Sequence, residues 1–229
     1  HLLTSIMSRP IGFAAGIVSA TVGFTAPAVL ASMALGNYLH AVISIYNPTL
    51  LAFTVVVVIH VVHMTSVRWG LIFQDSFTII KVGLILIFIF FGFLNKTPEK
   101  ISMVPILGDY AKMLSPEFAV SLIWVSYAYT GWNSIIYIAG EIEKPKLNIS
   151  MTMIGSTIFV TLLYLLLNYI FLYTTPIDLM TGQIEIGYIT GIEIFGQFGA
   201  KIIGIGISIL LLSTVSSYVY IGPRIMQIM

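Results

Sequence analysis

The segment Ser126-Tyr127-Ala128-Tyr129-Thr130-Gly131-Trp132-Asn133 interrupts a long apolar stretch with hydroxyls, an amide and a glycine. Thr and Gly are poor helix formers, and Gly lets a chain leave a helix at little steric cost. A break there would turn bare N–H and C=O groups toward a polar ligand, which is binding chemistry rather than bond-making chemistry. Ser126, Thr130, Asn133, Tyr137 and Glu141 recur at spacings of four, three, four and four. At about 100° per residue they form one narrow polar stripe, suited to lining a cavity or to fastening a neighbouring helix. A second candidate is Lys81, which lies between Ile80 and Val82 with apolar residues running on to Leu94. It sits about 9 Å of helix beyond Asp75. Either it snorkels to the cytoplasmic surface, or it faces the interior of a bundle, where an ionisable residue marks an ion or proton path.

Other polar groups carry less. Thr157, Thr161, Tyr164 and Asn168 share a helical face, and Ser213, Thr214, Ser216 and Ser217 cluster further on. Hydroxyls at such spacing back-bond to their own helix or pack against another one. His60 and His63 are three apart and share a face, but two His without a third ligand make a poor metal site. No metal or other cofactor is expected. A membrane-embedded enzyme would need a buried nucleophile with a base, or clustered His and carboxylates. A channel would call for a repeated filter or a charged ring. Neither pattern is present in the sequence.

The elements that must position these groups cross a bilayer. Hydrophobic residues make up 58% of the 229 and charged residues 8%, against about 25% charged in an ordinary soluble domain. The mean hydropathy is +1.02. A chain so poor in charge cannot clothe a water-facing surface. The net charge of +1 gives no electrostatic case for nucleic acid, and the absence of Cys excludes disulfides and thiolate chemistry. A spanning helix needs about 20 apolar residues. The expected spans are 11–35, 49–66, 73–94, 118–140, 151–174 and 202–222, in a single all-α transmembrane domain over residues 1–229. Pro27 is expected to kink the first span, and Gly12, Gly16 and Gly23 to admit a close neighbour. Arg9, Arg68, Lys144, Lys146 and Arg224 fall on one side, and Lys96, Lys100, Lys112 and Lys201 on the other, in longer connectors. The short basic segments are expected to be cytoplasmic, which puts both ends inside. The stretch from Leu179 to Ala200 reads equally as short helices over an entrance or as plain loop. A start at His1 without Met, and an end just after Pro223 and Arg224, lead us to expect a piece of a longer protein.

With these residues in view, the chain resembles the amino acid–polyamine–organocation permeases. The likeness is carried by Ala128-Tyr129-Thr130-Gly131-Trp132-Asn133 and Ala139-Gly140-Glu141-Ile142-Glu143-Lys144-Pro145, which look like the family's sixth helix and the loop after it. Gly23-Phe24-Thr25-Ala26-Pro27 is similar to a third helix, Phe77-Thr78-Ile79-Ile80-Lys81 to the start of a fifth, and Gly222-Pro223-Arg224 to the end of an eighth. The resemblance implies helices three to eight of a larger permease built as a five-plus-five inverted repeat, with a broken helix near 126–131. It implies a secondary active transporter of amino acids working by alternating access in the cell membrane. Protons or exchange, rather than sodium, would drive it. A polyamine or other small organic cation permease is the alternative. The implied substrate-binding residues are Ser126, Tyr127, Ala128, Tyr129, Thr130, Gly131 and Asn133, with Tyr127 as an aromatic gate. The implied coupling residues are Lys81 and, facing it, Ser213 and Ser216.

Overall fold

Hydrocarbon offers a backbone N–H or C=O no partner, so a chain this apolar satisfies its backbone within helices. The computed structural model describes residues 8–44, 47–65, 67–95, 98–101, 104, 107–131, 135, 139–142 and 144–228. Among them the elements are helical: α1 (Arg9–Val18), a π-helical turn (Ser19–Thr25), α2 (Ala26–Ile43), α3 (Pro48–Thr65), α4 (Val67–Phe93), α5 (Asp109–Met113), α6 (Pro116–Ala128), a 3₁₀ turn (Ala139–Glu141), α7 (Pro145–Thr174), α8 (Ile177–Met180) and α9 (Ile186–Ile228). The helical runs Arg9–Ile43, Ser76–Phe93, Pro145–Thr174 and Ile186–Pro223 are long and apolar enough to cross a membrane, and Pro48–Met64 is a shorter apolar helix. The β-branched run Val55 to Val58 is helical within α3. Its strand propensity is overridden because a lone strand in lipid would leave its backbone unpaired.

Helix starts and breaks follow local chemistry. Asn47 Oδ1 accepts from Thr49 N at 2.9 Å ahead of α3, whose first residue is Pro48. Pro27 does not interrupt the first long run. The turn before it widens to π geometry, and Thr25 Oγ1 donates to Ala20 O at 2.9 Å. A π turn gives the proline ring room that the tighter α turn would deny it. Gly196 has φ 70° and ψ 176°, so α9 is two helices joined at a sharp corner. That backbone region is nearly closed to residues with a Cβ. Leu179–Ala200 therefore contains the end of α8 and the first arm of α9, and its glycines include the corner between the arms.

Two compact units make up the chain, His1–Glu99 with Thr161–Met229, and Lys100–Val160. In the first, α9 packs against α2, the π turn, α3 and α4, and α2 packs against α3. Its apolar core joins Phe88 and Ile89 of α4 to Leu163 and Ile170 of α7, with Phe195 from the first arm of α9 against Phe88 at 5.9 Å. Tyr38 is buried, and its hydroxyl accepts from Gly187 N at 3.1 Å, which ties the first arm of α9 to α2. In the second unit, α5 packs against α6. Much of the apolar surface, including Leu50, Phe53, Val61 and Met64 of α3, is exposed. Burying one such side chain is worth about 1.5–3 kcal/mol, so this face is stable against hydrocarbon and not against water.

Close helix approach rests on Gly36 rather than on Gly23. A Cβ at Gly23 would meet only Ser19 Oγ, at 3.7 Å, whereas one at Gly36 would land on the Pro48 carbonyl. Around Gly83, in α4, nothing lies within 4 Å. Gly36→Ala is expected to destabilise the protein by about 1–3 kcal/mol through overpacking against backbone. Gly83→Ala is expected to stabilise it by up to about 1 kcal/mol through helix propensity. Thermal melts of the two variants in detergent, monitored by the monodisperse fraction, check the opposite signs.

Candidate functional site

In the second unit, α6 starts as a capped helix and stops early. Ser115 Oγ accepts from Phe118 N at 3.2 Å and Pro116 occupies the first turn. The exposed Glu117 carboxyl is held below its ordinary value by its own backbone N–H and the Ser115 hydroxyl. The helix ends at Ala128 after 13 residues, about 20 Å and well short of the roughly 30 Å hydrocarbon core. Tyr129 N donates to Ser126 O at 3.2 Å and Thr130 N to Tyr127 O at 3.0 Å. Thr130 Oγ1 adds a 2.8 Å bond to the same Tyr127 carbonyl, and Gly131 follows with φ 98°. A left-handed residue after the last turn is the usual way to end a helix, and Gly adopts it without strain.

Tyr127 and Tyr129 are half-buried, while Ser126, Ala128 and Thr130 are exposed. Trp124 meets Tyr127 edge to face, with ring centroids 6.4 Å apart. The end of α6 carries the negative pole of the helix dipole, which suits an ammonium group. Trp132, Asn133 and Tyr137 lie outside the described residues, as does the side chain of Glu141.

In the first unit, Lys81 is half-buried and does not stand alone: its Nζ donates to Thr214 Oγ1 of α9 at 2.9 Å. Thr214 Oγ1 in turn donates to Leu210 O at 3.2 Å, which leaves its lone pairs for the lysine. A hydrogen bond to a charged group contributes about 1.5–3 kcal/mol. Holding a Lys at the bilayer centre costs about 2.5–3.5 kcal/mol on insertion scales. Lys81 lies toward the start of the apolar run Ser76–Phe93 rather than at its middle, so its cost is below that figure and the bond to Thr214 offsets part of it. Ser213 is 1% exposed and its carbonyl accepts from Ser217 Oγ at 3.0 Å. Ser216, 6% exposed, is bonded to His63 of α3, Oγ to Nε2 at 2.8 Å. Of the α9 hydroxyls, then, Thr214 is the one bonded to Lys81. Its place in the hydroxyl run 213–217 was the available signal, but which member reaches α4 depends on the rotation of α9.

His60 turns away from this pair, its Nδ1 bonded to Val56 O at 2.8 Å. Among the described residues no group of three His, Cys, Asp or Glu could hold a metal ion. On the polar face of α7, Thr157 Oγ1 donates to Met153 O at 2.7 Å and Asn168 Nδ2 to Tyr164 O at 2.8 Å.

Comparison with known proteins gives this geometry a setting. Over 137 residues the chain is 29% identical to b(0,+)-type amino acid transporter 1 of Mus musculus, covering 58% of this chain and 28% of that protein. It is 24% identical over 110 residues to Serine/threonine exchanger SteT of Bacillus subtilis, covering 48% and 25% respectively. It is 24% identical over 148 residues to Large neutral amino acids transporter small subunit 2 of Homo sapiens, covering 63% and 26%. The matched part is thus 25–28% of the length of these relatives, which are named as transporters and an exchanger rather than as enzymes. The sequence profile of the family described as Amino acid permease matches residues 1–229. With apolar membrane-length helices and a match along its whole length, the chain is a multi-pass membrane protein that belongs to the amino acid permease family.

Proposed function

We propose that this chain is part of a secondary active transporter of neutral amino acids in the cell membrane. It works by alternating access and is driven by protons or by exchange, without sodium. The observation that carries the proposal is the stop of α6 at Ala128, with Gly131 in the left-handed region, in a chain of the permease family. Half-helix ends are where transporters of this kind hold polar substrates. The substrate site comprises Ser126, Tyr127, Ala128, Tyr129, Thr130, Gly131 and Asn133. The backbone from Tyr127 to Thr130 meets the amino group, and the Tyr127 ring gates the site. Neutral substrates and exchange are favoured by two relatives, one named for large neutral amino acids and one as a serine/threonine exchanger. One relative is named as a small subunit, which favours a companion subunit here as well.

Coupling is assigned to Lys81, with Ser213 and Ser216 nearby on α9 and Thr214 as the direct partner. The support is the 2.9 Å bond from Lys81 to Thr214, which keeps a cationic group between α4 and α9 where a free cation could otherwise serve. The orientation, with residues 9, 144 and 224 inside, is supported by the density of Lys and Arg in the short connectors.

Uptake of labelled neutral amino acids into vesicles carrying the natural-length protein tests these assignments. Tyr127→Ala is expected to cut uptake at least tenfold. Lys81→Gln is expected to abolish its pH dependence, and Thr214→Val to shift the pH profile with a smaller loss of rate. Variants with wild-type uptake and pH profile would show that the site lies elsewhere. These 229 residues hold no Cys, so in a natural-length protein cleared of any Cys outside them single cysteines report sidedness cleanly. Asp178→Cys is expected to react with an impermeant maleimide added outside intact cells, and Lys144→Cys only after permeabilisation. The reverse pattern overturns the orientation.

A further inference from the structure

The coupling helix is held from two sides at one turn. Thr214 and Ser216 are two residues apart in α9, about 200° around the helix, so their side chains leave on opposite faces. One face is taken by Lys81 of α4, at 2.9 Å from Thr214 Oγ1. The other is taken by His63 of α3, at 2.8 Å from Ser216 Oγ, and the His63 ring also lies 6.2 Å from the ring of Tyr220 one turn further along α9. Ser216 is 6% exposed, so its contact with His63 is made away from bulk solvent, where a hydrogen bond is hard to replace. On α3 the nearest titratable neighbour is His60, whose Nδ1 is committed to the Val56 carbonyl at 2.8 Å.

The leverage is geometric. A side-chain oxygen about 5 Å from a helix axis moves roughly 1.7 Å when the helix turns by about 20°. A displacement of that size directed away from Lys81 would lengthen the Lys81–Thr214 bond beyond hydrogen-bonding range. Whatever fixes the rotation of α9 at this turn therefore fixes whether Thr214 can receive Lys81. Thr214 Oγ1 is already anchored to its own Leu210 carbonyl, at 3.2 Å, and cannot compensate by changing rotamer without losing that bond.

We propose that His63 is a positioning residue of the coupling site: through Ser216 it holds the turn of α9 that presents Thr214 to Lys81. The inference rests on the coupling role proposed for Lys81, but the latch has a signature of its own. A lysine released from its acceptor reacts faster with amine reagents. Competitive acetylation of the detergent-solubilised natural-length protein, with Lys81 and the exposed Lys144 followed by peptide mass spectrometry, measures that release directly.

Thr214→Val sets the scale for a freed Lys81, with a rise of at least threefold relative to Lys144. His63→Leu and Ser216→Ala are expected to give similar rises, and His63→Gln, which can still bond Ser216, to stay within twofold of wild type. The double variant His63→Leu/Ser216→Ala is expected to match either single one, because both remove one contact. Unchanged Lys81 reactivity in His63→Leu and Ser216→Ala overturns the proposal. So does an unchanged rate in Thr214→Val, or an additive double variant, which would signal general loosening. Uptake by the same preparations is read separately. Wild-type protein that transports no amino acid overturns the transport reading, while the labelling comparison still decides the latch.

Discussion

A polar atom in hydrocarbon must find its partner inside the protein, because lipid supplies none. That constraint shapes the chain at every level. It makes the valine-rich α3 a helix, and it sends the hydroxyls of Thr21, Thr54, Thr157, Thr174 and Ser208 back to carbonyls of their own helices. It also makes departures from this habit informative. At α9, Ser216 reaches His63 of another helix, and Thr214 takes a bond from Lys81 of α4 besides the one it gives its own Leu210 carbonyl. At α6 the backbone leaves the helix altogether at Tyr129. Both departures need compensation from protein groups or from a polar ligand, and both fall where the sequence carries its least hydrocarbon-like residues.

The two features belong to different compact units and serve different chemistry. The end of α6 offers a helix terminus and a half-buried pair of tyrosines, suited to a small molecule with a positive group. The α4–α9 contact offers a half-buried lysine bonded to one threonine of the facing helix, which offsets part of the cost of its charge. The π turn at Ser19–Thr25 and the corner at Gly196 add irregular backbone around α9, the helix against which α2, α3 and α4 all pack.

Much of this was legible in the residues. Composition required lipid, the long apolar runs required helices, and Thr130-Gly131 marked the place where a helix would stop. Lys81 stood out because charge is so scarce. What the sequence left open was rotation and approach. Ser213, Thr214, Ser216 and Ser217 are chemically alike, and only the packing of α9 between α3 and α4 decides that Thr214 meets Lys81 and Ser216 meets His63. For the same reason a close neighbour was expected at Gly23, whereas it is Gly36 that faces a neighbouring backbone. The widened turn before Pro27 was visible only as an expected kink, because a ring clash can be relieved by bending or by widening.

The central claim is sodium-independent amino acid transport through the break after Ala128. Its most direct test is uptake of a labelled neutral amino acid by proteoliposomes of the natural-length protein in sodium-free buffer. The account predicts saturable uptake that an inward proton gradient or amino acid loaded inside accelerates. Absence of saturable uptake, or uptake only when sodium is added, would contradict it.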